Sequence, residues 1–258
     1  MALPTRIICL TEETVETLYL MGEEDRIVGV SGFVVRPPEA RRKPKVSTFT
    51  DTKTDEIVAL KPDLVFTFSD IQAEITANLM REGLEVHAFN HRTVDGIFDM
   101  IRTVGALIGE AAKAQILSDD LQRRVDAARE SARTLTRRPR IYFEEWDDPM
   151  ISAIGWVSDL IEIAGGDNVF ADQATQQGAK DRIVSAEQVI AAQPDIVIGS
   201  WCGKGFKKDA FVAREGFAAL PAVKNNRLYE IKSAIILQPG PAALTDGLDA
   251  LQNIIAAV

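Results

Sequence analysis

Two cysteines and two histidines in 258 residues leave little material for redox or transition-metal chemistry. Cys9 and Cys202 stand far apart, with no C-x-x-C pair and no metal-knuckle spacing around either. Cys9, in "RIICL", has the setting of an ordinary buried strand thiol. His87 and His91 are four residues apart, but "EVHAFNHRT" reads as a strand leaving into a loop. The two imidazoles are therefore not helical neighbours, and zinc would lack a third ligand; no metal site is expected. No apolar run reaches the roughly 18 residues of a membrane span. The start, "MALPTRIICL", shows no basic region, apolar stretch and cleavage site in succession. Read alone it carries no export address, which fits either a cytoplasmic protein or one whose leader has been removed. Enzyme signatures are missing as well: no G-x-S-x-G, no P-loop, and "CLTEET" where a dinucleotide fold would place its glycines. "WCGKGF" opens no helix at a phosphate-ready spacing, and neither histidine is placed as a base for Cys202. The chain is not expected to be an enzyme. Positive charge is also short, 29 Lys and Arg against 38 Asp and Glu for a net charge of −9, which argues against a nucleic-acid partner. The basic run Arg36, Arg41, Arg42, Lys43, Lys45 reads as a solvated loop.

What the sequence does contain is a soluble globular composition, 46% hydrophobic and 26% charged, long enough for one large domain or two ordinary ones. It also says one thing twice. "DEIVALKPDLVFTFSD" (55–70) and "AEQVIAAQPDIVIGSWCG" (186–203) each end a short helix at a Pro-Asp turn and pass into a continuous apolar strand. The proline ends the helix by disfavouring helical dihedrals in the residue before it, and the unbroken apolar run suits a strand buried on both faces. That is half of a βαβ unit. The spacing exceeds the roughly 20–50 residues of solenoid repeats, so two lobes of similar build are expected. Punctuation repeats too: Ser69 with Gln72, and Ser185 with Gln188, have the spacing of capping boxes.

Around the first copy, "RIICL" and "IVGVS" read as strands, "EVHAF" as another, and Pro37, Pro38 and Pro44 exclude regular structure from the intervening turn. Residues 94–135 carry apolar residues at helical spacing without proline, with a break expected at Gly109. A helix over 110–134 would span roughly 35–40 Å at ~1.5 Å per residue, a stiff connector where a flexible one would be written in Gly and Ser. Beyond it come "RIYFEEWDDP" as a strand running into an acidic aromatic turn, "WVSDLIEIAGG" as a helix, the second copy, "RLYEI" as a late strand, and a terminal helix over "GPAALTDGLDALQNIIAAV". The fold class expected is α/β: two Rossmann-like lobes with parallel central sheets (1–93 and 140–258) joined by one long rigid helix within a connector at 94–139.

The run from "RIICLTEETVETLYLMGEEDRIVGVSGFVVRPPEARRKPKVSTFTDTKTDEIVALKPDLVFTFSD", the helical connector and "DLIEIAGGDNVFAD" together resemble the Fe/cobalamin type of periplasmic binding protein, closest to its cobalamin-binding branch. The resemblance covers nearly the whole chain. It implies a monomeric substrate-binding component of an ABC importer, with two lobes holding one large ligand in a cleft. That ligand would be a corrinoid such as cobalamin, with a ferric siderophore or haem as alternative, and no intrinsic cofactor is implied. The periplasm is the implied location. A signal-less cytoplasmic relative that binds or processes a cofactor is the other reading. In open parallel sheets ligands lie beyond the carboxyl ends of the strands. The residues expected there are Thr11, Glu12, Glu13, Ser31, Gly32, Phe33, Arg36, Phe49, Ser69 and Asp70 in the first half, and Glu145, Trp146, Asp147, Trp201, Cys202, Gly203 and Phe206 in the second. Trp201, in a turn after a buried strand, is expected to offer its ring to the ligand. The carboxylates Glu144, Glu145, Asp147 and Asp148 read as a solvated acidic rim. The resemblance further implies one acidic docking residue per lobe for the importer's membrane subunits, at Glu74 and Glu215.

Overall fold

The computed structural model describes residues 3–258. The chain divides into two compact units: one runs to His91 and takes in Asp95–Leu121, the other comprises Arg92–Val94 and Gln122–Val258. The stretch expected as a separate connector is thus shared out between them.

In the first unit, β1 (Ile7–Cys9), β2 (Ile27–Ser31), β3 (Lys45–Ser47), β4 (Leu64–Phe68) and β5 (Val86–Phe89) form one sheet in the order β3-β2-β1-β4-β5. Every pairing in it is parallel. The residues of β1 and β4 are buried throughout, as their unbroken apolar sequence requires. Helices α1 (Glu12–Leu20), α2 (Thr54–Ala59) and α3 (Ala73–Arg81) follow β1, β3 and β4. Ile8, Leu10, Val46, Ile57, Val65, Ile75 and Leu79 pack as one core cluster. The proline-rich turn does form one piece of regular structure, a 3₁₀ helix over Pro38–Arg42, because proline's fixed φ suits a first helical turn that needs no donor there.

Helix α4 (Val94–Ile108) stops at Gly109, whose φ of +78° is a conformation that side-chain-bearing residues rarely adopt, and α5 (Ala111–Arg133) begins two residues later. Arg26 holds this joint: its guanidinium donates to the carbonyls of Pro4 and Ile108 and pairs with Glu23 and Glu110.

The second unit is built on β6 (Arg140–Asp147), β7 (Met150–Ser152), β8 (Asp167–Asn168), β9 (Ile196–Gly199) and β10 (Leu228–Glu230), ordered β10-β9-β6-β7 with β8 also paired to β6. The expected parallel arrangement holds for β10, β9 and β6, and the unforeseen β8 joins β6 in parallel as well. The sequence reading did not foresee β7, which returns antiparallel from the acidic turn with Asp147 opposite Met150. Helices α6 (Gly155–Ile163), α7 (Ala171–Ala174) and α8 (Ala186–Ala192) precede β9. The C-terminal helix is not continuous: residues 243–247 make a π-helical turn ahead of Leu248–Ala256.

The repeated sentence has a repeated structural meaning. β4 pairs with β1, and β9 pairs with β6, so each copy lies beside the first strand of its own unit. Asp63 of the first Pro-Asp turn accepts hydrogen bonds from the backbone N–H groups of Thr5 and Arg6, and Asp195 of the second accepts one from that of Arg140. Arg6 then donates to the carbonyl of Leu60 at the end of α2, while Arg140 donates to that of Ala192 at the end of α8. In both units an Asp anchors the start of the central strand and an Arg closes the preceding helix, satisfying carbonyls that have no partner within the helix. The arginines stand at the start of each first strand, Arg6 just before β1 and Arg140 as the opening residue of β6, a signal that reading the repeat alone overlooks.

Candidate functional site

In the first unit the expected residues do gather where β1, β2 and β4 end, but many face inward. Thr11, Glu12, Glu13, Ser31 and Ser69 are buried, whereas Gly32, Phe33 and Asp70 are exposed and Arg36 and Phe49 half-buried. Phe33 is the open aromatic, with 54% of its surface accessible. Glu13 is 1% exposed at the start of α1. The Thr11 hydroxyl donates to its Oε1, while Oε2 has no hydrogen-bond partner. Burial pushes this carboxyl up to about 8, partly countered by the Thr11 hydrogen bond, so it stands mostly as a neutral acid near pH 7. Burial raises Glu12 as well.

The capping box expected at Ser69 and Gln72 does not form. Ser69, at φ +65° and ψ 170°, lies in a backbone region almost reserved for glycine and accepts from Ile71 N–H across a single 3₁₀ turn, Asp70–Gln72. Gln72 instead braces the strand ends: its Oε1 accepts from Phe68 N–H, and its Nε2 donates to the carbonyls of Leu10 and Phe49. It thereby fixes the Phe49 backbone, a role with no signature in the sequence beyond a cap that is not made. At Ser185 and Gln188 the same spacing does give a reciprocal capping box.

In the second unit the solvated acidic rim is corrected at three of its four carboxylates, Glu144, Glu145 and Asp147, while Asp148 is exposed as expected. Glu144 is fully buried, and its two oxygens take four donors: Arg214 bidentately at 2.6 and 3.0 Å, the Tyr142 hydroxyl at 2.8 Å and Trp201 Nε1 at 3.0 Å. Arginine and indole N–H groups can only donate, so this set of partners suits the ionised carboxylate. Burial raises the Glu144 carboxyl against the pull of Arg214, and it raises Tyr142 far above its usual range with the Glu144 charge adding to it. Glu145 is held bidentately by Arg182, which is 1% exposed and also donates to the Ser152 carbonyl. Asp147 pairs with Lys204; burial alone would raise it, but Lys204 outweighs that and holds it below the usual carboxylate range. Three carboxylates thus each have a cation of their own, which removes repulsion as a feature of this turn.

Trp201 is also corrected. Its ring is 2% exposed and packs edge-on to Phe206 at 5.2 Å, inside a core cluster with Tyr142, Phe170, Phe211 and Phe217. The polar tip that suggested a cleft residue is satisfied internally by Glu144. Phe206 lies so close to β9 that a Cβ on Gly199 would stand 2.1 Å from its ring, which explains the glycine before Ser200. Cys202 and Gly203 are exposed beyond it, and Glu145, Trp146 and Asp147 are half-buried. Trp146 is therefore the tryptophan whose ring remains accessible; its Nε1 donates to the Asp148 carbonyl at 2.9 Å.

His87 and His91 belong to an aromatic cluster: His87 packs on Phe89 at 4.5 Å and His91 on Phe68 at 5.2 Å, and burial lowers His87. Among the described residues no group of three or more His, Cys, Asp or Glu could hold a metal ion, and no helix is long and apolar enough to cross a membrane. The two acidic residues expected to dock are exposed, Glu74 in the first turn of α3 and Glu215 just before Gly216.

A family model described as periplasmic binding protein matches residues 7–235. The vitamin B12-binding protein of Vibrio parahaemolyticus is 28% identical over 242 residues, 93% of this chain and 85% of that protein. Two solved structures superpose over nearly the whole chain. One is a possible iron-binding, periplasmic solute-binding protein of Staphylococcus epidermidis, with TM-score 0.83, 25% identity and 98% of each chain covered. The other is the periplasmic haem-binding protein RhuT of Roseiflexus, with TM-score 0.81, 26% identity, 99% of this chain and 100% of that one covered.

Proposed function

Because the chain belongs to the periplasmic binding protein family, a family of substrate-binding, non-catalytic components of ABC importers, we propose that it captures a large, flat metal chelate, a corrinoid in first place and haem or a ferric siderophore in second. The observation that carries the corrinoid choice is the likeness to a vitamin B12-binding protein along 93% of the chain. Supporting it, each unit offers an accessible aromatic ring at the carboxyl end of a strand, Phe33 just past β2 in one and Trp146 in the last residues of β6 in the other, and such rings suit the faces of a corrin or porphyrin. The internally paired carboxylates of the β6–β7 turn leave the choice of ligand to shape and stacking rather than to charge. The ligand is cargo, handed as a periplasmic or surface-anchored step to the importer's membrane subunits. Glu74 and Glu215 are the proposed docking residues, with the protein acting as a monomer.

Titration of the purified protein with cyanocobalamin, haemin and a ferric catecholate, followed by calorimetry and visible absorbance, tests this. Cyanocobalamin should bind most tightly, and Trp146→Ala should weaken it roughly tenfold to a hundredfold, the equivalent of about 1–3 kcal/mol of lost aromatic contact. Tighter binding of haemin would promote the second choice, and no binding of any of the three would overturn the reading.

A further inference from the structure

Trp146 is the accessible tryptophan, yet one face of its indole is already occupied. Lys204 Nζ stands 3.9 Å from the Trp146 ring centroid and 5.2 Å from that of Trp201, and it pairs with the Asp147 carboxylate beside them. Two ring faces and one carboxylate therefore converge on a single ammonium. The backbone that carries it is a turn of exposed residues from Cys202 to Gly205, in which Lys204 is flanked by Gly203, at φ +73°, and by Gly205. Lys204 N–H reaches the Trp201 carbonyl, but its side chain has no deep packing: 38% of it is exposed.

We propose that Lys204 is a specificity-determining residue: its ammonium is an internal occupant of the Trp146 face, which a flat ligand must displace in order to stack there. This rests on the reading that Trp146 contacts the ligand. An exposed cation–π contact and an exposed ion pair are each worth roughly a factor of two to five in an equilibrium. Displacing both sets a threshold of about tenfold. A broad ring system that covers the indole passes it, whereas a small molecule touching only an edge does not. Because the hold on Lys204 is electrostatic and solvent-facing, salt weakens it, and salt should therefore strengthen rather than weaken capture of a ligand without net charge.

Two measurements decide the matter, the first without any cargo. Trp156 and Trp201 are 3% and 2% exposed, so acrylamide quenching of tryptophan fluorescence reports chiefly on Trp146. Lys204→Ala should raise the quenching constant, and the rise should vanish when Trp146→Phe is also present. An unchanged constant would overturn the proposal, since the lysine would then not cover the ring in solution. The second is calorimetric titration with cyanocobalamin between low and high salt. Wild type should bind several-fold tighter as salt increases, whereas Lys204→Met, which keeps the stem and removes the charge and with it both contacts, should bind about tenfold tighter than wild type at low salt and show little salt dependence. Weaker binding by Lys204→Met would overturn the proposal by making the ammonium a ligand contact. Failure of cyanocobalamin to bind any variant would refute the corrinoid reading, and the quenching result would still decide whether Lys204 occupies the ring.

Discussion

Arg214 pairs with the buried Glu144, and it also lies 5.0 Å from the Phe211 ring and 5.5 Å from that of Phe217. Arg214→Ala would leave a buried carboxylate with only Tyr142 and Trp201 as donors, so urea unfolding should show a loss of about 3–5 kcal/mol, the usual cost of orphaning one member of a buried pair. A loss under about 1 kcal/mol would mean that water reaches Glu144. None of this was legible in "FEEWDDP". Arg214 lies 70 residues from Glu144, and Arg182 lies 37 from Glu145, so no local pattern announces which carboxylate is buried and which is wet. Trp201 was misjudged for the same reason: a ring in a turn is a cleft residue only if its N–H lacks an internal acceptor.

Elements were more legible than their ends. The Pro-Asp turns, the break at Gly109 and the parallel strands could be read because each follows from backbone sterics or a continuous apolar run, which act over a few residues. Caps depend on the backbone conformation of the capping residue, φ +65° at Ser69 against −90° at Ser185, and one three-residue spacing produced two outcomes. Ser185→Ala should cost about 1 kcal/mol in equilibrium unfolding, since it removes the acceptor for Gln188 N–H. Ser69→Gly should be neutral or stabilising, because glycine accepts φ +65° without strain while only one long hydrogen bond of 3.3 Å is lost. Equal destabilisation by both would mean that Ser69 is not strained. The strand β7 escaped the sequence reading because three residues carry too little periodicity to stand out.

For the molecule as a whole, the buried acids of α1 set a direction in pH. Glu13 has its carboxyl raised from an ordinary 4.5 to about 8, and Glu12 is raised too, both by burial. The folded chain therefore holds these protons more tightly than the unfolded one. Their contribution to stability is full below about pH 4.5 and is lost as the pH rises through about 8. The melting temperature should fall between about pH 5 and 8 and level off above that, and Glu13→Gln should flatten the fall. A melting temperature that is level over this range in wild type would show that Glu13 is ionised inside the fold.

The division of the chain between the two units falls inside α5, after Leu121, and the second unit also claims Arg92–Val94 from ahead of the first unit's last segment. During synthesis the ribosome must therefore release the chain past Leu121 before the first unit has all its residues. By then the opening half of α5 has already emerged and can propagate helix into the residues that follow, since extending a helix is far easier than starting one. The second unit thus begins its own assembly from an element that its predecessor has nucleated.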